Sequence, residues 1–163
     1  MTRDKILSQV HSKPEFHRYN ETIVRDNTNC YSHALGATFP ELKIYRVGAI
    51  CGKKEINEKY TSDKEIEELL FLDCKELQLE IKKCSLEDEI SDDEHKIALF
   101  VSISANGMIG YHFWRYDNDL LWTEKWRGRG MNKIQNFQRD ILKFNYFPWN
   151  FVGIYKISKQ RVQ

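Results

Sequence analysis

Apolar residues recur at helical spacing through the first half of the chain and gather into strand-like runs in the second. Ile6, Leu7 and Val10 predict a short helix over residues 3–11 that Pro14 ends. Tyr31, Ala34 and Leu35 predict the inner side of a second helix beginning near Asn29 or Cys30, with Asp26 or Thr28 as its cap and Gly36 as its stop. Thr61-Ser62-Asp63 opens a third, amphipathic helix over Lys64–Leu72, and Ser62 with Glu65 has the spacing of a capping box.

After that helix the pattern changes. Leu77–Ile81 alternates and reads equally as a strand or a continued helix, and the acidic segment Glu87–Glu94 reads as an exposed loop without the ligand spacing of an EF-hand. Ile97–Ile103 is nearly continuous in apolar residues, as expected of a central strand covered on both faces. Asn106-Gly107 predicts a turn, and Tyr111–Tyr116 and Leu120–Trp126 flank Asp117-Asn118-Asp119 as a hairpin. A helix over 133–143 and a last strand over Val152–Ile157 complete the expectation. Helices first and antiparallel strands after define an α+β order, and 163 residues are most simply one domain, 1–163.

Composition narrows the function classes. Lys and Arg number 25 against 24 Asp and Glu, a balance that supplies no electrostatic reason to expect a nucleic-acid partner. The basic residues Lys156, Lys159 and Arg161 read as a solvated tail. No apolar run approaches the roughly 20 residues needed to cross a bilayer, so no membrane association is expected. No apolar segment follows the charged start, which reads as a chain without an export signal, located in the cytoplasm. Its four cysteines, Cys30, Cys51, Cys74 and Cys84, form no CxxC pair or zinc-like group and read as reduced thiols. Neither metal nor cofactor is expected.

The remaining chemistry centres on Cys30 and His112. A thiol becomes a nucleophile as its thiolate, which a helix N-terminus and a neighbouring imidazole both favour. Cys30 stands at the predicted start of a helix and His112 near the head of an aromatic strand. With the hairpin turn at residues 117–119, position 112 faces 124 or 125, so Glu124 can orient the imidazole or Lys125 can oppose its protonation. The Cys30 N–H and an amide from Asn29, Asn27 or Asn20 are candidate oxyanion donors. Trp114, on the face of His112, and Trp122 are candidate substrate-contacting rings, with ordinary core packing as the alternative. His33, three residues after Cys30, is a competing base.

Asn29–Leu35, Lys96–Ser102 and Tyr111–Asp117 together resemble a group of small bacterial and phage proteins with an "NCYAYAL" helix, a "DYHFYR" strand and a "WSHK-G" strand. That group is similar to the papain-like clan of cysteine peptidases and amidases, especially its NlpC-type and CHAP branches. The resemblance spans roughly residues 27–36 and 96–130. It implies a papain-like fold, with N-terminal helices packed on a C-terminal antiparallel sheet. It also implies a Cys30 nucleophile, a His112 general base and a polar residue on the next strand. Gly110 stands where the group has Asp, and Glu124 where it has the His of "WSHK".

The expected function is a thiol hydrolase acting on an amide bond of a protein or peptide, as a peptidase, an amidase or a protein-glutamine deamidase. A phage or effector protein is one setting for it. The departures at Gly110 and Glu124 motivate an alternative, a catalytically inactive papain-like domain that binds a protein partner. A less favoured alternative is an acyltransferase similar to the lecithin retinol acyltransferase group, whose "NCEHF" resembles Asn29–His33. In that group the histidine precedes the cysteine, and only His11 and His17 do so here. Substrate and oligomeric state are not encoded in any readable motif.

Overall fold

The apolar run Ile97–Ile103 forms the middle of the molecule. The computed structural model describes residues 29–35, 46–55, 58–117, 121–126, 131–145 and 148–159. The helix expected over 3–11, the caps Asp26 and Thr28, the stop Gly36, the alternative donors Asn20 and Asn27, and His11, His17 and Arg161 lie outside them. In chain order the elements are α1 (Cys30–Leu35), α2 (Asp63–Glu76), β1 (Leu79–Cys84), β2 (Glu94–Ile103), β3 (Ile109–Tyr116), β4 (Trp122–Lys125), β5 (Met131–Ile134), α3 (Phe137–Phe144) and β6 (Trp149–Lys159). The strands form one antiparallel sheet in the order β1-β6-β2-β3-β4-β5. The architecture is α+β.

Alternation along the central strands divides two cores. Ile97, Leu99 and Val101 of β2 with Phe113 of β3 face one side, where α1 and α2 contribute Tyr31, Ala34, Leu35, Ile66 and Leu70. Ala98 and Phe100 with Trp114 face the other, against Phe137, Ile141 and Phe144 of α3 and Trp149 and Phe151 of β6. Both faces of β2 are therefore covered, which is why its sequence is apolar without interruption. Between β2 and β6 the pairing steps from Leu99–Gly153 to Phe100–Phe151, leaving Val152 as the extra residue of a bulge.

Local chemistry sets the element ends. Ser62 caps α2 by accepting the Glu65 N–H at 3.1 Å, while the Glu65 carboxylate reaches back to the Thr61 N–H at 3.2 Å rather than to Ser62. The helix runs four residues beyond Leu72 and ends where Gln78 takes a φ of 58°, so Leu79–Ile81 belongs to a strand. Gly107, at φ 79°, makes the expected turn between β2 and β3.

Two expectations change. Residues 131–134 are an edge strand paired with β4, and the helix begins only at Phe137, where Asn136 accepts the Arg139 N–H at 2.9 Å. Asn132 and Lys133 put a polar residue on each face of β5, so the segment did not read as a strand. Lys156 and Lys159 lie in β6, not in a tail, and Lys156 pairs with Glu94 at 3.6 Å. Among the described residues no helix is long and apolar enough to cross a membrane.

Candidate active site

A six-residue helix has too few internal hydrogen bonds to hold itself, so α1 depends on tertiary contacts. Asn29 caps it: its Oδ1 accepts the Ser32 N–H at 2.9 Å and the Ser32 hydroxyl at 3.1 Å. At the other end Arg115 Nη1 donates to the carbonyls of His33 and Ala34, both at 3.3 Å, and His95 Nε2 donates to Ala34 O at 2.9 Å. Asp117 fixes the guanidinium through contacts of 3.0–3.2 Å. The Tyr31 ring packs on Tyr111 and Phe113, and its hydroxyl donates to Asp73 at 2.6 Å. These contacts set Cys30 at the start of α1 against β3.

His112 sits on the opposite side of β3, paired with Phe100. Its ring is fully buried and lies flat on Trp126, with centroids 3.7 Å apart and planes 8° from parallel. The Nε2–H donates to Glu124 Oε2 at 2.9 Å, and Trp114 Nε1 donates to the same oxygen at 3.0 Å. A carboxylate oxygen holding Nε2–H leaves Nδ1 as the nitrogen with the lone pair. Nδ1 is buried and without a hydrogen-bond partner. Burial pushes the His112 pKa down, against the opposing pull of Glu124.

The strand register differs from the expected one. Glu124 pairs with Trp114, not with His112, and continuing that register brings Trp126 against His112. The connection spans 117–121, longer than the three-residue turn expected. Glu124 nevertheless meets His112 because its side chain reaches the diagonal neighbour on the same face. Lys125 points to the other face: its neighbour Thr123 bonds His33 of α1 at 2.9 Å.

Cys30 and His112 line one cavity of about 240 Å³, together with Asn29, Tyr111, Lys125 and Trp126. Inside it the thiol and the imidazole share no hydrogen bond. The thiol donates toward the Tyr111 carbonyl at 4.0 Å. Burial pushes the Cys30 pKa up to about 12, although the N–H groups of Phe113, Tyr31 and Cys30 and the charge of Lys125 act against the rise. The lowered thiol pKa expected of a helix start is therefore absent at rest, because desolvation outweighs the dipole of so short a helix. Both groups are neutral.

The other expected residues separate. Asn29 lines the cavity, but its side-chain oxygen is turned into the helix as a cap. Trp114 and Trp122 do not line it; they are 1% and 6% exposed and belong to the core under α3. Trp122 instead borders a separate cavity of about 570 Å³ with Lys96, Tyr116 and Phe137. His33 bonds Thr123, and burial beside Arg115 pushes its pKa down to about 3, which leaves it a poor base. Of the other cavity residues, Tyr111 was not singled out from sequence, Lys125 was expected only as an alternative neighbour of His112, and Trp126 only as a core or rim ring. Counting two residues on from Glu124, the expected partner of His112, would have found Trp126 on the same face.

The chain matches no protein-family model, no curated protein sequence and no solved structure.

Proposed function

We propose that the protein is a thiol hydrolase acting on an amide bond, and more narrowly that it is a papain-like one located in the cytoplasm, its own or that of a host to which it is delivered. One observation carries the reading. His112 has its Nε2–H held by Glu124 and its Nδ1 buried without a hydrogen-bond partner, and the residue lines one cavity with Cys30. An imidazole fixed in one tautomer with its lone pair unused is the arrangement that general-base catalysis needs.

In this mechanism the Cys30 side chain leaves the Tyr111 carbonyl and turns toward Nδ1. The thiol proton passes to Nδ1 as the sulfur attacks the substrate carbonyl carbon, and the carbonyl electron pair moves onto oxygen. Glu124 stabilises the imidazolium, and Trp114 fixes the carboxylate that does so. The imidazolium returns its proton to the amide nitrogen as the carbon–nitrogen bond breaks, leaving a thioester. Water then attacks the thioester, giving a proton to Nδ1, and the acid leaves as Cys30 recovers its thiol.

The activated ester p-nitrophenyl acetate tests this without knowledge of the substrate. The reading predicts a burst of nitrophenol matched by one acetyl group on Cys30, abolished by Cys30→Ala and strongly slowed by His112→Asn. No acetylation of Cys30 beyond that of Cys51 refutes it. A second reading, a papain-like domain that binds a protein through this cleft without catalysis, is favoured by the neutral Cys30 thiol engaged with Tyr111. That reading predicts no burst.

A further inference from the structure

Lys96 of β2 is 2% exposed and lies on the sheet face of Ala98 and Phe100, opposite α1. Its Nζ donates to the Leu86 carbonyl at 2.9 Å and stands 5.8 Å from the centre of the Tyr116 ring. Both residues line the cavity of about 570 Å³ that Trp122 borders, so the ammonium is carried to the cavity wall. An ammonium has three donors, and one is used here. Among the described residues no carboxylate pairs with it. Glu94, two residues earlier on β2, goes to Lys156, and Asp88 takes the Ser85 N–H at 2.9 Å. A buried ammonium with donors to spare is costly unless an acceptor reaches it.

The other walls define what such an acceptor is attached to. The rings of Tyr116 and Trp122, 5.4 Å apart, and of Trp122 and Phe137, 4.7 Å apart, form a continuous surface that suits a flat apolar body. The volume falls within the roughly 300–1,000 Å³ of small-molecule sites. Glu87, Asp88 and Glu89 also line the cavity and are exposed. They repel a ligand with several negative charges, such as a nucleotide, whereas a single carboxylate is drawn to the buried cation, whose charge water screens least. We propose that this cavity binds a small aromatic carboxylate, its carboxylate on Lys96 Nζ and its rings against Tyr116, Trp122 and Phe137. The cavity shares no lining residue with the one that Cys30 and His112 line, so it is a separate site and does not depend on the hydrolase reading.

The test titrates the full chain with three probes of one shape, naphthylacetate, naphthylacetamide and naphthylethylamine, and follows the nitrogen-15 and proton shifts of the tryptophan indole N–H groups. The expected result is a saturable shift at the Trp122 indole with naphthylacetate, and binding weaker by about tenfold or more for the neutral amide and the amine. In Lys96→Met, naphthylacetate should bind no tighter than the amide. An amide or amine that binds as tightly as the carboxylate in the parent overturns the proposal. So does a carboxylate preference that persists in a folded Lys96→Met chain. No saturable shift at Trp122, or a shift confined to Trp126 beside His112, overturns it as well. Should Lys96→Met fail to fold, the ranking of the three probes on the unmodified protein decides the matter alone.

Discussion

Replacing Asp73 with alanine strikes one of the contacts that tie α1 to the rest of the fold. The fully buried carboxyl accepts the Tyr31 hydroxyl at 2.6 Å, the Gly48 N–H at 2.8 Å and the Cys51 N–H at 2.8 Å. It thus joins α1, α2 and the turn at 46–55. Gly48 is irreplaceable in that turn: its φ is 94°, and a Cβ there would lie 2.9 Å from Lys54 Cγ. Alanine orphans three donors. The Tyr31 and Gly48 donors are buried and lose the full desolvation penalty of about 1–3 kcal/mol each, whereas water can reach the partly exposed Cys51. The expected loss is about 3–5 kcal/mol, a large share of the roughly 5–15 kcal/mol typical of a domain. Urea unfolding followed by circular dichroism measures it. Hydrogen exchange at the His33 amide, which bonds Asn29 O at 3.0 Å, reports α1 separately. A loss below about 1 kcal/mol, or unchanged His33 protection, would refute the reasoning.

Three further outcomes follow from the same contacts. The folded His33 pKa lies at about 3 against 6.5 ordinarily, so the fold keeps this ring neutral. Its contribution is complete above pH 6.5 and is lost as pH falls toward 3, about 4–5 kcal/mol over the whole window at roughly 1.4 kcal/mol per unit. His33→Gln should flatten the acid limb of the stability curve, measured by urea midpoints, and an unchanged limb argues against a buried neutral ring. Glu124→Gln leaves an amide oxygen as acceptor but removes the charge that stabilises the His112 imidazolium, and Cys30 acetylation should slow by about tenfold or more. Nitrogen-15 shifts of His112 should report an Nε2–H ring in the parent, and an Nδ1–H ring would contradict the assignment. Ser62→Ala should cost about 1 kcal/mol through loss of the α2 cap, read from the same urea midpoints.

Legibility in the sequence followed how local each determinant is. β2 could be read because both its faces are apolar, and α2 because its cap and its periodicity agree. β5 could not, because an edge strand only four residues long exposes Asn132 and Lys133. Cys30 and His112 were recognisable as chemistry, and they do share a cavity. Their environment was not, since it depends on register and burial. A connection longer than the expected turn set Trp126, not Glu124, against His112, and side-chain reach rather than direct pairing brought Glu124 back. Buried Arg115 looked like an ordinary strand charge until the helix it faces was in place, and Lys125 had been weighed only as a group opposite His112.

The central claim is that His112 Nδ1 serves as the base for Cys30. The rate of Cys30 alkylation by iodoacetamide near neutral pH, in the parent and in His112→Asn, tests it most directly. His112→Asn should slow this reaction about tenfold or more, because the thiol, neutral at rest, then has no base to take its proton. A Cys30 rate that is unchanged in His112→Asn would contradict it.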